Sequence, residues 1–150
     1  MSHTTISVPR LRERVNGRVI TPDDPGYDQA REVFYGGFDR HPSLIVQAAG
    51  ADDVATVVTL AHDRGQALTV RSGGHSPAGH GVTDGAILLD LGALHTLELD
   101  AAARTAWAEP GLTAGAVACS STCCWSSPAG TPNTGDCLTV TGPPPHSGSG

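Results

Sequence analysis

Residues 44 to 71 limit the possible folds of this chain more than any other stretch. "LIVQA" (Leu44 to Ala48) is a short run rich in branched apolar residues, the composition of a buried strand. Asp52 and Asp53 then open a helix, where carboxylates favour the positive end of the dipole. Val54, Val57, Val58 and Ala61 follow at helical spacing, and Gly65 stands where a C-terminal cap belongs. "ALTVR" (Ala67 to Arg71) is a second strand. Strand, helix and strand within about thirty residues make a βαβ unit, which implies parallel pairing and a right-handed crossover. "AILLDL" (Ala86 to Leu91), "HTLELD" and "RTAWAEP" read as further strands, and "LTAGAVA" starts a helix with Thr113 near its first turn. The fold class is α/β, with strands beyond the βαβ unit in an α+β manner.

Composition changes on both sides of this segment. Residues 1–42 are a polar lead-in with turn signals at "TPDDPGY" and "GGFDRHP", a short helix at "DQAREVFY", and Pro42 as its stop. Residues 43–118 carry the α/β pattern. Residues 119–150 hold Cys, Ser, Thr, Pro and Gly with one charged residue, Asp136, and no periodicity, so an irregular tail is expected. All nine basic residues are arginine, a sign of GC-rich codons, and such codons read in a shifted frame yield a mix like this tail. The tail is therefore expected to be foreign to the fold. Its cysteines, Cys119, Cys123, Cys124 and Cys137, match no zinc spacing and read as incidental thiols.

The chain is long enough for one domain and carries a formal charge of −6. Its scattered arginines make no basic stripe, so nucleic acid is not expected as a partner, and no apolar run suits a membrane. The N-terminal residues lack an apolar stretch of signal-peptide length, so a cytoplasmic protein is expected.

The chemistry concentrates in "VRSGGHSPAGHG", residues 70–81, directly after the second strand of the βαβ unit. Ligands of α/β folds bind beyond the carboxyl ends of the strands. Gly73 and Gly74 let backbone amides approach an anion, and successive N–H groups make a concave nest for phosphate. Ser72 and Ser76 add hydroxyls, Arg71 adds charge, and Gly79 and Gly81 keep the return limb open. A plain turn with a surface histidine is the bland alternative. "GHSPA" also approaches the G-x-S-x-G nucleophile elbow with Ser76 as nucleophile, but Ala78 replaces the second glycine, and Pro77, Gly79 and Gly81 oppose the helix an elbow requires. His75 and His80 lack a third ligand at metal-site spacing, so no metal is expected.

The run from Pro42 to Val117 closely resembles the N-terminal part of FAD-linked oxidoreductases of the p-cresol methylhydroxylase and vanillyl-alcohol oxidase superfamily, nearest the berberine bridge enzyme-like and 6-hydroxynicotine oxidase-like branch. The motifs that carry it are a strand followed by R-S-G-G-H-S, a downstream D-G and the "LLDL" strand; "GRVITPDDPGYDQAREVF" fits the bacterial lead-in. The resemblance implies a partial FAD-binding domain of the p-cresol methylhydroxylase type, with FAD as cofactor and partner. It implies that Ser72, Gly73, Gly74 and Ser76, beside Arg71, line the FAD pyrophosphate. It implies that His75 is the histidine many members join to the flavin 8α-methyl carbon, and that Gly79 and His80 lie on the return limb of the site. A neutral imidazole suits that role as a nucleophile. Family members are considerably longer, with a separate substrate domain, so a truncated piece is expected. A small organic substrate follows only if that domain is supplied. No catalytic base is assigned, and Cys137 is not taken as a second attachment point. The other reading is a remnant that binds FAD, or serves as structure, without catalysis.

Overall fold

The computed structural model describes residues 6–34, 36–100, 102–103 and 105–117. The chain divides into two compact units, Met1–Leu94 and His95–Gly150.

The first unit is built on a sheet of four strands. In chain order its elements are α1 (Val8–Arg14), β1 (Arg18–Ile20), α2 (Tyr27–Arg31), β2 (Leu44–Gln47), α3 (Ala51–Arg64), β3 (Leu68–Arg71) and β4 (Ile87–Asp90). The spatial order is β1-β2-β4-β3. β2, β4 and β3 run parallel, with Val46 and Val70 both in register with Leu89, and β1 closes one edge antiparallel. The expected strand–helix–strand unit is present, but β2 and β3 do not touch. β4 lies between them. Its residues Ile87, Leu88, Leu89 and Asp90 are all buried, and a strand apolar on both faces is hidden best between two neighbours.

Alternation along the central strands feeds two cores. Leu44, Val46, Ile87 and Leu89 pack with Leu11 of α1 and Val57 and Ala61 of α3. Ile45 and Leu88 point the other way and pack with Ile20, Tyr27 and Val82. Burying a side chain such as Val57 is worth about 1.5–3 kcal/mol, so α3 is held mainly by this face. Val58, expected on it, is instead 45% exposed. Gly65 caps α3 in the left-handed conformation at φ +58°, as its position predicts.

The polar lead-in is more deeply built into the fold than its composition suggests. β1 pairs with β2 across the expected boundary at residue 42. The Tyr27 hydroxyl donates to the Pro42 carbonyl at 2.6 Å, and burial pushes that phenol above its ordinary pKa. The Asp24 carboxyl is held below its usual value by hydrogen bonds from the Thr21 amide and hydroxyl, with Arg12 beside it.

Asp53 does something the helix-dipole argument did not anticipate. It is 1% exposed, and its carboxylate accepts from the amides of Asn16 (2.7 Å), Gly17 (2.9 Å) and Ala49 (2.8 Å). One side chain thus joins the start of α3, the end of β2 and the entry to β1. The approach is so close that a Cβ on Gly17 would fall 2.0 Å from the Gln47 carbonyl oxygen.

In the second unit, β5 (Leu97–Asp100) and β6 (Thr105–Ala108) form an antiparallel hairpin. Asp100 accepts from the amides of Ala102 and Ala103 at the turn. Residues 114–117 are helical, and the Thr113 hydroxyl caps them by accepting from the Ala116 amide at 3.3 Å. The expected irregular tail and the four cysteines lie outside the described residues.

Replacing Asp53 with Ala leaves its amide donors without their acceptor. Each unmade buried bond costs about 1–3 kcal/mol, so Asp53→Ala is expected to lose more than about 3 kcal/mol, read as a fall in the urea midpoint. Asp53→Asn keeps one acceptor oxygen and should fall in between.

Candidate functional site

β3 delivers the loop of residues 72–82 at the carboxyl end of the parallel strands. Its first limb is fixed by Arg71, which is only 9% exposed. The Arg71 guanidinium meets the Asp90 carboxylate at 2.7 Å and donates to the carbonyls of Ala30 (2.6 Å) and Glu32 (2.7 Å). The other Asp90 oxygen accepts from the Gly92 amide at 2.9 Å. Arg71 therefore faces inward. It shapes the loop from below and does not stand at its rim.

The return limb is fixed by Arg40, whose guanidinium donates to the carbonyls of Gly79 and Val82, both at 2.9 Å. The same guanidinium lies 5.4 Å from the centre of the Phe38 ring. That ring fills the space beside Gly79. At φ +68° Gly79 is in the left-handed region, and a Cβ there would sit 2.6 Å from Phe38. Glycine is required at 79 on both counts.

Between these anchors the chain is open. Ser72, Gly73 and His75 are exposed; Gly74 and Ser76 are half-buried. Among the described residues, the amides of residues 72–76 meet no hydrogen-bond acceptor. The Ser76 hydroxyl accepts from the His80 amide at 3.3 Å, and the His80 side chain is exposed. The Nδ1–Cε1 edge of the His75 imidazole takes the space a Cβ on Gly73 would fill, and the ring meets Phe34 with ring centres 4.5 Å apart and planes at 51°. Beside Phe34 the surface opens into a cleft of about 520 Å³ that Val33 and Phe38 also line.

The loop carrying Phe34 and Phe38 is closed at its base by Arg31, which bonds Asp28 (2.8 Å), Asp39 (2.5 Å) and the Arg40 carbonyl (3.3 Å). Hydrogen bonds to Asp28 and Asp39 raise the Arg31 pKa, and the bond from Arg31 lowers that of Asp39. A depressed carboxyl adds stability above the ordinary Asp range and loses it as pH falls through the lowered value, so this closure weakens as pH falls below that range.

The arrangement suits an anionic ligand. The amides of residues 72–76 are unengaged, glycine stands at 73 and 74, and Ser72 and Ser76 flank them. It does not suit a nucleophile elbow, because residues 77–81 run as turns and no helix follows Ser76. Among the described residues, no group of three or more His, Cys, Asp or Glu side chains is placed to hold a metal ion.

Residues 42–150 match the family model described as FAD binding domain. The chain belongs to this family. Among curated relatives it is 41% identical over 92 residues to (R)-6-hydroxynicotine oxidase of Paenarthrobacter nicotinovorans, covering 61% of this chain and 20% of that protein. It is 33% identical over 86 residues to Berberine bridge enzyme-like 14 of Arabidopsis thaliana, covering 56% and 16%. Among solved structures, 6-hydroxy-D-nicotine oxidase from Arthrobacter nicotinovorans superposes with a TM-score of 0.58 at 40% identity, over 64% of this chain and 20% of that one. Aclacinomycin oxidoreductase gives 0.62 at 30% identity, over 73% and 22%. The chain thus spans about a fifth of the length of these relatives. FAD is the cofactor of this family, and the fold is that of a partial FAD-binding domain of the p-cresol methylhydroxylase type.

Phe34, Phe38, Arg40 and Asp90 were missed by sequence reasoning. "GGFDRHP" registers only as a turn; a pair of phenylalanines and an arginine around two glycines was the available signal.

Arg71→Ala is expected to destabilise the chain by about 3–5 kcal/mol, because it leaves the Asp90 charge buried without its partner. Arg71→Lys should recover little, since one ammonium cannot span the Asp90 carboxylate and both carbonyls as the planar fork does. Thermal or urea unfolding of both variants measures this.

Proposed function

We propose that residues 72–76 cradle the diphosphate of FAD and that His75 is the point of covalent attachment to the flavin, in an FAD-dependent oxidoreductase. The observation that carries this reading is the run of unengaged amides at residues 72–76 beside an exposed imidazole, at the carboxyl end of parallel strands in a chain of the FAD binding domain family. Gly73, Gly74, Ser72 and Ser76 bind the phosphates through amides and hydroxyls. Arg71 and Arg40 hold the limbs of the loop, and Gly79 and His80 form its return side.

Bound FAD would supply the acceptor for a hydride from a small organic substrate, with the electron pair going on to dioxygen; attachment at His75 would exchange one hydrogen of the 8α-methyl carbon and one of the imidazole nitrogen for the carbon–nitrogen bond, the electron pair leaving with dioxygen as hydrogen peroxide. His75 supplies the nitrogen and keeps the ring at the site. No residue of this chain is assigned as a substrate base. The curated relatives are named as oxidases and FAD-linked oxidoreductases, which supports the reaction class. We infer a cytoplasmic setting without nucleic-acid or membrane partners. The charge of −6, the scattered arginines and the lack, among the described residues, of a helix long and apolar enough to cross a membrane support this.

The second reading is FAD binding without turnover. The two part in one experiment. Protein produced with FAD present is precipitated with acid, and its pellet is read for flavin fluorescence; oxygen uptake is followed over a panel of amines and alcohols. Acid-stable flavin that disappears in His75→Ala supports the attachment, and acid-stable flavin without oxygen uptake supports binding alone. Ester hydrolysis lost in Ser76→Ala would overturn both.

A further inference from the structure

We propose that Arg40 is a positioning residue for the FAD diphosphate: it fixes the return limb of the loop so that the Ser76 hydroxyl keeps its proton for a phosphate oxygen. This rests on the reading of residues 72–76 as the diphosphate cradle. One terminal nitrogen of the Arg40 guanidinium, Nη1, donates to the carbonyls of Gly79 and Val82, both at 2.9 Å. The Val82 amide donates to the Gly79 carbonyl at 3.3 Å, so Arg40 braces both ends of one turn. Gly79 also belongs to the turn before it, because its amide donates to the Ser76 carbonyl at 3.0 Å. Direct bonds therefore lead from Arg40 through Gly79 to the backbone of Ser76.

The side chain of Ser76 is set by the same limb. Its oxygen accepts from the His80 amide at 3.3 Å, and His80 directly follows the residue whose carbonyl Arg40 holds. A hydroxyl that accepts in this way keeps its own hydrogen for another acceptor. Among the described residues, the Ser76 hydroxyl donates to none. Phe38 completes the brace. Its ring takes the space beside Gly79, where a Cβ would fall 2.6 Å from Cδ1, and its centre lies 5.4 Å from the Arg40 guanidinium carbon. Arg40 is tied from behind as well, since its carbonyl accepts from Arg31 at 3.3 Å.

The consequence is preorganisation. Glycine at 79 and 81 makes the return limb costly to order, and a limb ordered before the ligand arrives leaves less of that cost to binding. Arg40 is bonded to this limb, and its effect on a phosphate runs through Ser76. With the limb released, the His80 amide leaves the Ser76 oxygen, and the hydroxyl turns to water or to its own backbone. The phosphate then loses a donor that was already in place.

The test uses the full chain carrying His75→Ala, so that FAD stays reversible whether or not the parent attaches it. Flavin fluorescence anisotropy gives the FAD affinity, and amide NMR shifts report the loop. Ser76→Ala should weaken FAD binding on the order of tenfold, and Arg40→Met by at least as much. The two losses should not multiply: once Arg40 is gone, Ser76→Ala should cost less than about threefold. Without FAD, the His80 amide resonance in Arg40→Met should move towards its position in Ser76→Ala. If Arg40→Met does not fold, Arg40→Lys serves in the same cycle, because its ammonium ends short of the Nη1 position; the loss is smaller and the coupling to Ser76 persists. FAD affinity that ignores either substitution, losses that multiply in the double variant, or a His80 amide that ignores Arg40 overturns the proposal. The cradle reading survives those outcomes if the amides of residues 72–76 shift when FAD is added. Amides that ignore FAD overturn that reading and this proposal together.

Discussion

The contact between Arg71 and Asp90 holds the ends of two parallel strands together at the point where the loop departs. Burying either charge alone is costly, and the pair offsets that only because its remaining groups are also satisfied. Asp90 takes the Gly92 amide on its second oxygen, and Arg71 reaches the carbonyls of Ala30 and Glu32. The network ties β3, β4 and the segment after α2 to one another by direction-specific bonds. Apolar residues of the same volume would pack there, but they would not fix where the chain leaves the sheet.

Asp53 plays the matching part at the start of α3. Its carboxylate gathers three amides from two separate stretches of backbone, one of which precedes the first strong apolar run. The weakly patterned lead-in is ordered by this charge and by the pairing of β1 with β2. α1 then covers the same face of the sheet as α3, through Leu11 and Val15.

The elements legible in the sequence were those with a strong local period. β2, α3, β3 and β4 lie within a residue or two of their expected limits, because branched apolar runs, helical spacing and the Gly65 cap each act over a few residues. α1 and β1 were not legible. Three residues of strand, Arg18–Ile20, carry no period of their own and exist because β2 offers an edge. The insertion of β4 between β2 and β3 is a tertiary choice that strand order along the chain does not encode. The site divides the same way. The glycines, the serines and His75 stand out as a contiguous motif. Phe34, Phe38 and Arg40 lie more than thirty residues upstream and meet the loop through tertiary contacts that no local pattern encodes.

The kind of brace used at the loop bears on what the loop can bind. At several joints of this unit the brace is a carboxylate that accepts from amides, Asp53 from Asn16, Gly17 and Ala49, Asp24 from Thr21 and Asp84 from His41, while Arg12, Tyr27 and Arg31 donate to carbonyls at others. Around residues 72–82 the limbs are held instead by guanidiniums that donate to carbonyls, Arg71 below the first limb and Arg40 at the second. The difference is chemical. A carboxylate reaching into this loop would consume its N–H groups and add negative charge where an anion must sit. An arginine fixes the same backbone through its oxygens, leaves the N–H groups unconsumed, and adds positive charge. Arg71 is partly neutralised by Asp90, but Arg40 bonds only carbonyls among its described contacts. With both limbs braced through their oxygens, the amides of residues 72–76 stay available to an anion.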